Sequence, residues 1–254
     1  SGDHRALHLS IRRQRQMCIR DSHDEMAAVI VEPLQRVLAP QPGFLQGLRD
    51  ITARYEIPLI FDEMVTGFRL AYGGAQEFYG VVPDLCTMGK IMGGGYPLAG
   101  ILGRADLLSM FDRQSAGPEE WVNQMGTLNG SPVACAAGLA TLEVLRQPGS
   151  YETIHSNGKR VRDALVRICA DNQVQAQMCG EDVVFDVYFT DKQIVNYRDT
   201  LAGDGQTMAK FNAGLLERGI LKGTQKFYPS MVHTDDDVER TIEAFEEVIP
   251  GLRA

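Results

Sequence analysis

The sequence predicts an α/β fold built on a mostly parallel sheet, followed by a small α+β region. Three observations carry that prediction. Short apolar runs rich in β-branched and bulky residues (27–31, 58–61 and 84–88) are separated by helical patterns or loops, the spacing of parallel strands joined by crossovers. Two of these runs end on groups able to do chemistry: Asp62-Glu63 closes one and Gly89-Lys90 the other, 28 residues apart from Asp62 to Lys90. In open α/β sheets the ligand crevice lies beyond the carboxyl ends of the strands. From about residue 173 the pattern changes to short strands followed by longer helices.

Residues 1–23 differ from all that follows. They hold five arginines (5, 12, 13, 15 and 20) and two acids (Asp3 and Asp21), a net of +3 against −11 for the other 231 residues. An Arg-rich leader suits a transit peptide, but its apolar face is poor and acids are unusual there. A nucleic-acid arm would carry lysines and interleaved aromatics, which are absent. The stretch RRQRQMCIRDS is similar to translated sequencing-adaptor sequence. The segment is therefore set aside as a non-native leader, and the chain is expected to be a fragment.

The run 27–32 ends on Glu32 and reads as a strand buried on both faces. Pro33 closes it, and Pro42 sits at the first turn of a helix whose apolar positions are Phe44, Leu45, Leu48, Ile51 and Tyr55. After the strands ending at Asp62 and Met88 come a glycine cluster, Gly93-Gly94-Gly95, a strand at 99–103 and a short helix at 105–111. Missing side chains beside Lys90 leave room for a bulky flat ligand. Ser131-Pro132 opens a helix, and its small residues (Ala134, Ala136, Ala137, Gly138 and Ala140) imply close packing. A long helix at 150–170 places Ile154, Val161, Leu165, Ile168 and Cys169 on one face. The predicted domains are 24–172 and 173–254. The second has strands at 174–178, 183–189, 220–221 and 227–233, a helix at 205–218, and a last helix opened by Thr234-Asp235-Asp236-Asp237, whose acids suit the positive end of the helix dipole.

Composition excludes several function classes. A net charge of −8 favours neither nucleic acid nor an anionic membrane surface, and no apolar run approaches the ~20 residues of a membrane helix. Five cysteines without a C-x-x-C suit a reduced, cytoplasmic protein, and the five histidines show no metal-ligand spacing. The lysine precedes the glycines, so no phosphate-loop or dinucleotide signature passes through them.

A lysine and an acid closing consecutive strands suit pyridoxal phosphate (PLP) chemistry: the amine forms a Schiff base with the cofactor aldehyde, and the acid keeps the pyridine nitrogen protonated. FDEMVTGFR followed by MGKIMGGGYPLAG closely resembles the class III aminotransferases, fold type I PLP enzymes, and within them the branch similar to glutamate-1-semialdehyde aminomutase. The resemblance runs from Asp24 to the C-terminus. It implies part of the fold type I large domain plus the small C-terminal domain, with PLP as cofactor, an amino donor and an oxo acceptor as substrates, and a homodimer at full length. It implies that Lys90 binds the cofactor and moves the substrate proton, that Asp62 pairs with the pyridine nitrogen, and that Met64 lies under the ring. GTLNGSP resembles the segment whose threonine, here Thr127, reaches a partner's cofactor phosphate. Gln35 in VEPLQ matches a glutamine beside the phenolic oxygen. Glu63 is expected to point to the opposite face of the strand and to support rather than react. The family's N-terminal half, which supplies the phosphate loop and much of the substrate pocket, has no counterpart here.

One departure bears on reaction type. The aminomutase branch carries a glutamate near the last strand, in a phrase like SQFEA, whereas residues 222–228 read KGTQKFY without an acid. That favours transamination over the aminomutase's internal exchange. A catalytically silent fragment is the remaining alternative.

Overall fold

A computed structural model describes residues 18–224 and 226–253. Contacts divide the described residues into two units: those up to Pro33 with 40–145, and 34–39 with those from Arg146 onward.

The first unit is a four-stranded sheet, β1 (Val29–Val31), β2 (Leu59–Asp62), β3 (Leu85–Met88) and β4 (Gly100–Gly103), in that spatial order. β1, β2 and β3 are parallel and β4 runs antiparallel to β3, so the sheet is mostly parallel, as expected. Ile30 corrects the reading of β1 as a strand buried on both faces: β1 forms the sheet's edge, and Ile30 is 64% exposed. Helix α1 (Phe44–Arg54) starts just after Gly43, which takes φ 77°, so Pro42 precedes the helix rather than lying in its first turn. Leu45 and Leu48 pack into the core with Leu59, Phe61, Cys86 and Met88. Ile19 belongs to the same core at 5% exposure, so part of the segment set aside in the sequence reading is folded against this unit.

Asp84 ties the amino ends of the strands together. Its carboxylate accepts from the Leu59 backbone N–H (2.8 Å), Arg49 Nη1 (2.7 Å) and Arg104 Nη1 (3.0 Å). Burial alone would raise its pKa, but these donors and the Arg49 charge outweigh burial and hold it below the ordinary value. Fixing β2 and β3 at that end sets the register at the opposite end, where Asp62 faces Thr87.

Helices α2 (Gly74–Tyr79) and α3 (Pro132–Leu145) complete the frame; between them lie the short helix expected at 105–111 and a helix over Arg113–Glu120 kinked at Gly117. Only one side of α3 is closely packed: Ala134 and Gly138 are buried, whereas Val133 and Leu139 are 60% and 66% exposed.

The second unit pairs β5 (Gln177–Glu181) with β6 (Val184–Tyr188) as an antiparallel hairpin, covered by α4 (Ser150–Asp171), α5 (Gly205–Glu217) and α6 (Asp235–Val248). The division after Leu145 groups α4 with these elements. All five apolar residues expected on one face of α4 are buried, and Val161, Leu165, Ile168 and Cys169 share a core with Phe185, Phe211 and Phe245. Thr234 caps α6 through a reciprocal pair with Asp237.

The strands expected at 220–221 and 227–233 do not form; a single bridge joins Phe185 to Phe227. Pro229 cannot extend that bridge for want of an N–H, and Lys222 turns inward to a buried ion pair with Asp186 (3.1 Å) instead of continuing a ladder. Among the described residues no helix is long and apolar enough to cross a membrane, and no group of His, Cys, Asp and Glu could hold a metal ion.

Candidate active site

β2 and β3 lie side by side and point the same way, so their last residues leave one edge of the sheet together. β2 ends on Asp62; three residues beyond Asp62's partner Thr87 comes Lys90. Asp62 is half-buried, and both its hydrogen bonds fall on one oxygen. Thr87 Oγ1 donates to Oδ1 (3.1 Å), and so does the Met64 backbone N–H (3.1 Å). Among the described residues no hydrogen-bond donor engages Oδ2. The carboxylate is thus held in orientation with one acceptor oxygen left for an outside donor.

Glu63 is its opposite. Completely buried, it accepts from Thr66 Oγ1 (3.0 Å), the Ala75 and Gln76 backbone N–H groups at the start of α2, and Gln76 Nε2 (3.0 Å). A Cβ on Gly74 would strike this carboxylate. Glu63 therefore folds the 64–75 segment down and carries no reactive role. On the same side, burial raises the Cys86 thiol pKa, with the Gln76 hydrogen bond lowering it in part and the Glu63 charge adding to the rise.

Lys90 is exposed and adopts φ 49°, a left-handed conformation that costs a non-glycine residue about 1–3 kcal/mol. It opens a 3₁₀ turn, Lys90–Gly93, ended by Gly94 at φ 57°. This turn rests on α3. A Cβ on Gly94 would lie 2.6 Å from the Ala137 carbonyl oxygen, and one on Gly138 would overlap the Met92 carbonyl oxygen. The glycines after the lysine thus serve helix contact and backbone turning as well as the room expected for a ligand. Gly89, before the lysine, has Met64 against it: a Cβ there would sit 3.0 Å from Met64 Sδ.

A cavity of about 820 Å³ opens beside this group, with Met64, Thr87, Leu98, Ile101, Leu128 and Asn129 among its walls. Asp62 and Lys90 are not themselves wall residues, but Thr87 and Met64, which orient Asp62 and pack on Gly89, are. Thr127 is exposed in the turn 127–130 of the same unit, next to wall residues Leu128 and Asn129. Gln35 belongs to the second unit, where it is exposed and its carbonyl accepts from the Leu38 N–H (2.9 Å). Asp62, Met64 and Lys90 are thus brought to one place in the first unit. Thr87 was missed in the sequence reading; its signal is its register opposite the acid, which strand pattern alone does not give.

The profile of the family Aminotransferase class-III matches residues 4–249. The chain belongs to the class-III aminotransferase family. This class-III chain is 40% identical over 240 residues to a glutamate-1-semialdehyde 2,1-aminomutase of Methanocaldococcus jannaschii, covering 92% of this chain and 55% of that protein. It is 41% identical over 234 residues to glutamate-1-semialdehyde 2,1-aminomutase 2 of Brevibacillus brevis, covering 87% and 52%. Among solved structures, an omega-transaminase from Sphaerobacter thermophilus superposes with a TM-score of 0.87 at 31% identity, covering 94% of this chain and 55% of that one. A β-phenylalanine aminotransferase from Variovorax paradoxus gives 0.84 at 30%, covering 94% and 56%. The chain spans about half the length of the curated relatives it matches. The family match begins within the Arg-rich segment.

Proposed function

We propose that this chain carries the lysine and aspartate of a PLP site, and that the protein transfers amino groups between an amino donor and an oxo acceptor. One observation carries the reading: Asp62, with Oδ1 held and Oδ2 open, and Lys90 leave adjacent parallel strands at their carboxyl ends. The donor set fits the cofactor, since an oriented carboxylate suits a pyridine N–H and an exposed amine suits an aldehyde. Bound there, PLP would supply an electron sink for the pair left behind when a substrate carbon loses its proton.

The chain's own residues divide the remaining work. Asp62 would hold the pyridine nitrogen in its protonated form, and Thr87 Oγ1 and the Met64 N–H, both on Oδ1, keep the carboxylate from rotating away. Lys90 would hold the cofactor through its aldehyde, and its amine would act as the base that carries the substrate proton. Met64 offers a soft apolar surface to the ring. Thr127 would serve the phosphate of a partner's cofactor. Exposed apolar residues along the segment that follows Thr127, namely Leu128 and, on α3, Val133 and Leu139, support covering of that surface by a second copy.

The relatives at 40% and 41% identity favour a second reading, internal amino transfer of the aminomutase kind. The acid-free segment 222–228 supports transamination instead, and the half-length match keeps a silent fragment as the third alternative.

The test is to add PLP to the purified chain and to Lys90→Ala, reduce with borohydride, and map the cofactor mass by peptide analysis. Attachment at Lys90 in the wild type and none in the variant supports the site. Equal attachment in the variant overturns the lysine assignment; attachment in neither makes this chain a silent fragment. Product formation with and without a separate oxo acceptor then separates transamination from internal exchange.

A further inference from the structure

A second constellation, in the C-terminal unit, is absorbed by none of this chemistry. Arg36 takes φ 60°, in the left-handed region where glycine is the cheap choice. Its neighbours explain how it is held there: Leu34 and Val37 are 1% exposed, and Leu38 N–H closes the turn onto Gln35 O at 2.9 Å. The guanidinium lies over the Tyr197 ring, 5.4 Å from its centroid. Among the described residues it makes no hydrogen bond and no ion pair.

Arg36 stands at a cavity of about 290 Å³ whose apolar wall residues include the buried Val37 and Phe189, with Met208 and the exposed Leu201. Two acids border this cavity, and both are already engaged. Asp186 is paired with Lys222 (3.1 Å) and accepts from the Lys226 backbone N–H (3.0 Å); Asp204 caps α5 through the Gln206 and Thr207 N–H groups. Tyr188, also on the wall, has a hydroxyl without a hydrogen-bond partner among the described residues. Burial, with the charge of Asp186 adding, pushes its pKa to about 12, so it remains a donor at neutral pH.

We propose that this cavity is a binding site for a small organic carboxylate with a flat apolar body, gripped by the Arg36 guanidinium and the Tyr188 hydroxyl. A planar fork of N–H donors matches a carboxylate, the Tyr197 ring 5.4 Å from the guanidinium limits its motion, and the apolar walls accept the ligand's body. A volume near 300 Å³ is at the small end for ligand pockets and suits a single-ring acid. The φ of 60° at Arg36 costs a non-glycine residue about 1–3 kcal/mol, which its surroundings must offset.

The test uses benzoate, with uncharged benzamide as its isostere, titrated into the full 254-residue chain and followed by amide NMR shifts. Saturable benzoate binding, absent for benzamide and weakened about tenfold or more in Arg36→Gly, is expected from losing a charge-assisted bidentate contact. Arg36→Gly should at the same time resist urea better than wild type, because the backbone strain is relieved; a merely structural arginine would do the reverse. Tyr188→Phe, which leaves the turn untouched, should weaken benzoate binding on its own. No saturable benzoate binding, equal binding of benzamide, or undiminished binding by Arg36→Gly overturns the proposal, and none of these outcomes bears on PLP attachment at Lys90.

Discussion

Asp62 and Glu63 are adjacent carboxylates with opposite duties, and exchanging each in turn separates them. In Glu63→Ala, four donors lose their acceptor at once: Thr66 Oγ1, the Ala75 and Gln76 N–H groups, and Gln76 Nε2. A buried orphaned donor costs about 1–3 kcal/mol. Two of the four lie at the start of α2 and a third is the fully buried Thr66 hydroxyl, although Gln76 Nε2 is free to turn elsewhere. With partial relaxation, and some credit for no longer burying a charge, the loss should be about 3–5 kcal/mol. Asp62→Asn differs, since an amide oxygen in the Oδ1 position still accepts from Thr87 Oγ1 and the Met64 N–H. Only the charge assistance of two half-buried bonds is lost, about 1 kcal/mol or less.

Urea unfolding followed by Trp121 fluorescence reports on this unit specifically, because Trp121 is the chain's single tryptophan and lies within it. The expected pattern is a large loss of stability for Glu63→Ala with Asp62→Asn close to wild type, while PLP attachment at Lys90 fails in Asp62→Asn under conditions where the variant is folded. Equal destabilisation by both substitutions would refute the division of labour drawn from the hydrogen bonds. So would a Glu63→Ala cost below about 1 kcal/mol, because four genuine bonds to a buried carboxylate cannot be removed so cheaply.

Three further outcomes follow from the same geometry. Asp84 is held below its ordinary pKa, so its stabilisation is complete above the unfolded carboxylate value and is lost as pH falls through the folded one. The stability gap between wild type and Asp84→Asn, measured by urea unfolding, should therefore be widest near neutral pH and close as the solution is acidified below about pH 4. Lys222→Met strands Asp186 in a site where the two side chains are 1% and 6% exposed, and should cost about 3–5 kcal/mol by circular dichroism in urea; adding Asp186→Asn should restore part of that. Burial pushes the Cys169 thiol to about 11, and burial with the Asp186 charge does the same for Cys179, so a thiol reagent at pH 8 should label exposed Cys18 first and Cys169 last; early labelling of Cys169 would contradict its packing on α4.

What was legible in the sequence is what periodicity and strand ends encode. The apolar face of α4, the strands ending at Asp62 and Met88, and the last helix opening at Thr234 each follow from residues within one turn or one strand of each other, and each formed as expected. The pairing of Asp62 with Thr87 and of Asp186 with Lys222 was not legible, because each joins residues 25 or more positions apart through register or a chain reversal that no local pattern specifies. The same limit produced the errors. Ile30 reads as doubly buried because composition cannot tell an edge strand from a central one, and 227–233 reads as a strand because β-propensity ignores what Pro229 denies the ladder. Glu63 shows how the limit also conceals good news: alternation puts it on the face opposite Asp62, but only the return of 74–76 onto that face makes it a buried anchor. A carboxylate anchored in this way fixes where the chain goes after β2, and thereby fixes Met64, whose N–H holds Asp62. The acid assigned to the chemistry thus owes its orientation to the acid assigned none.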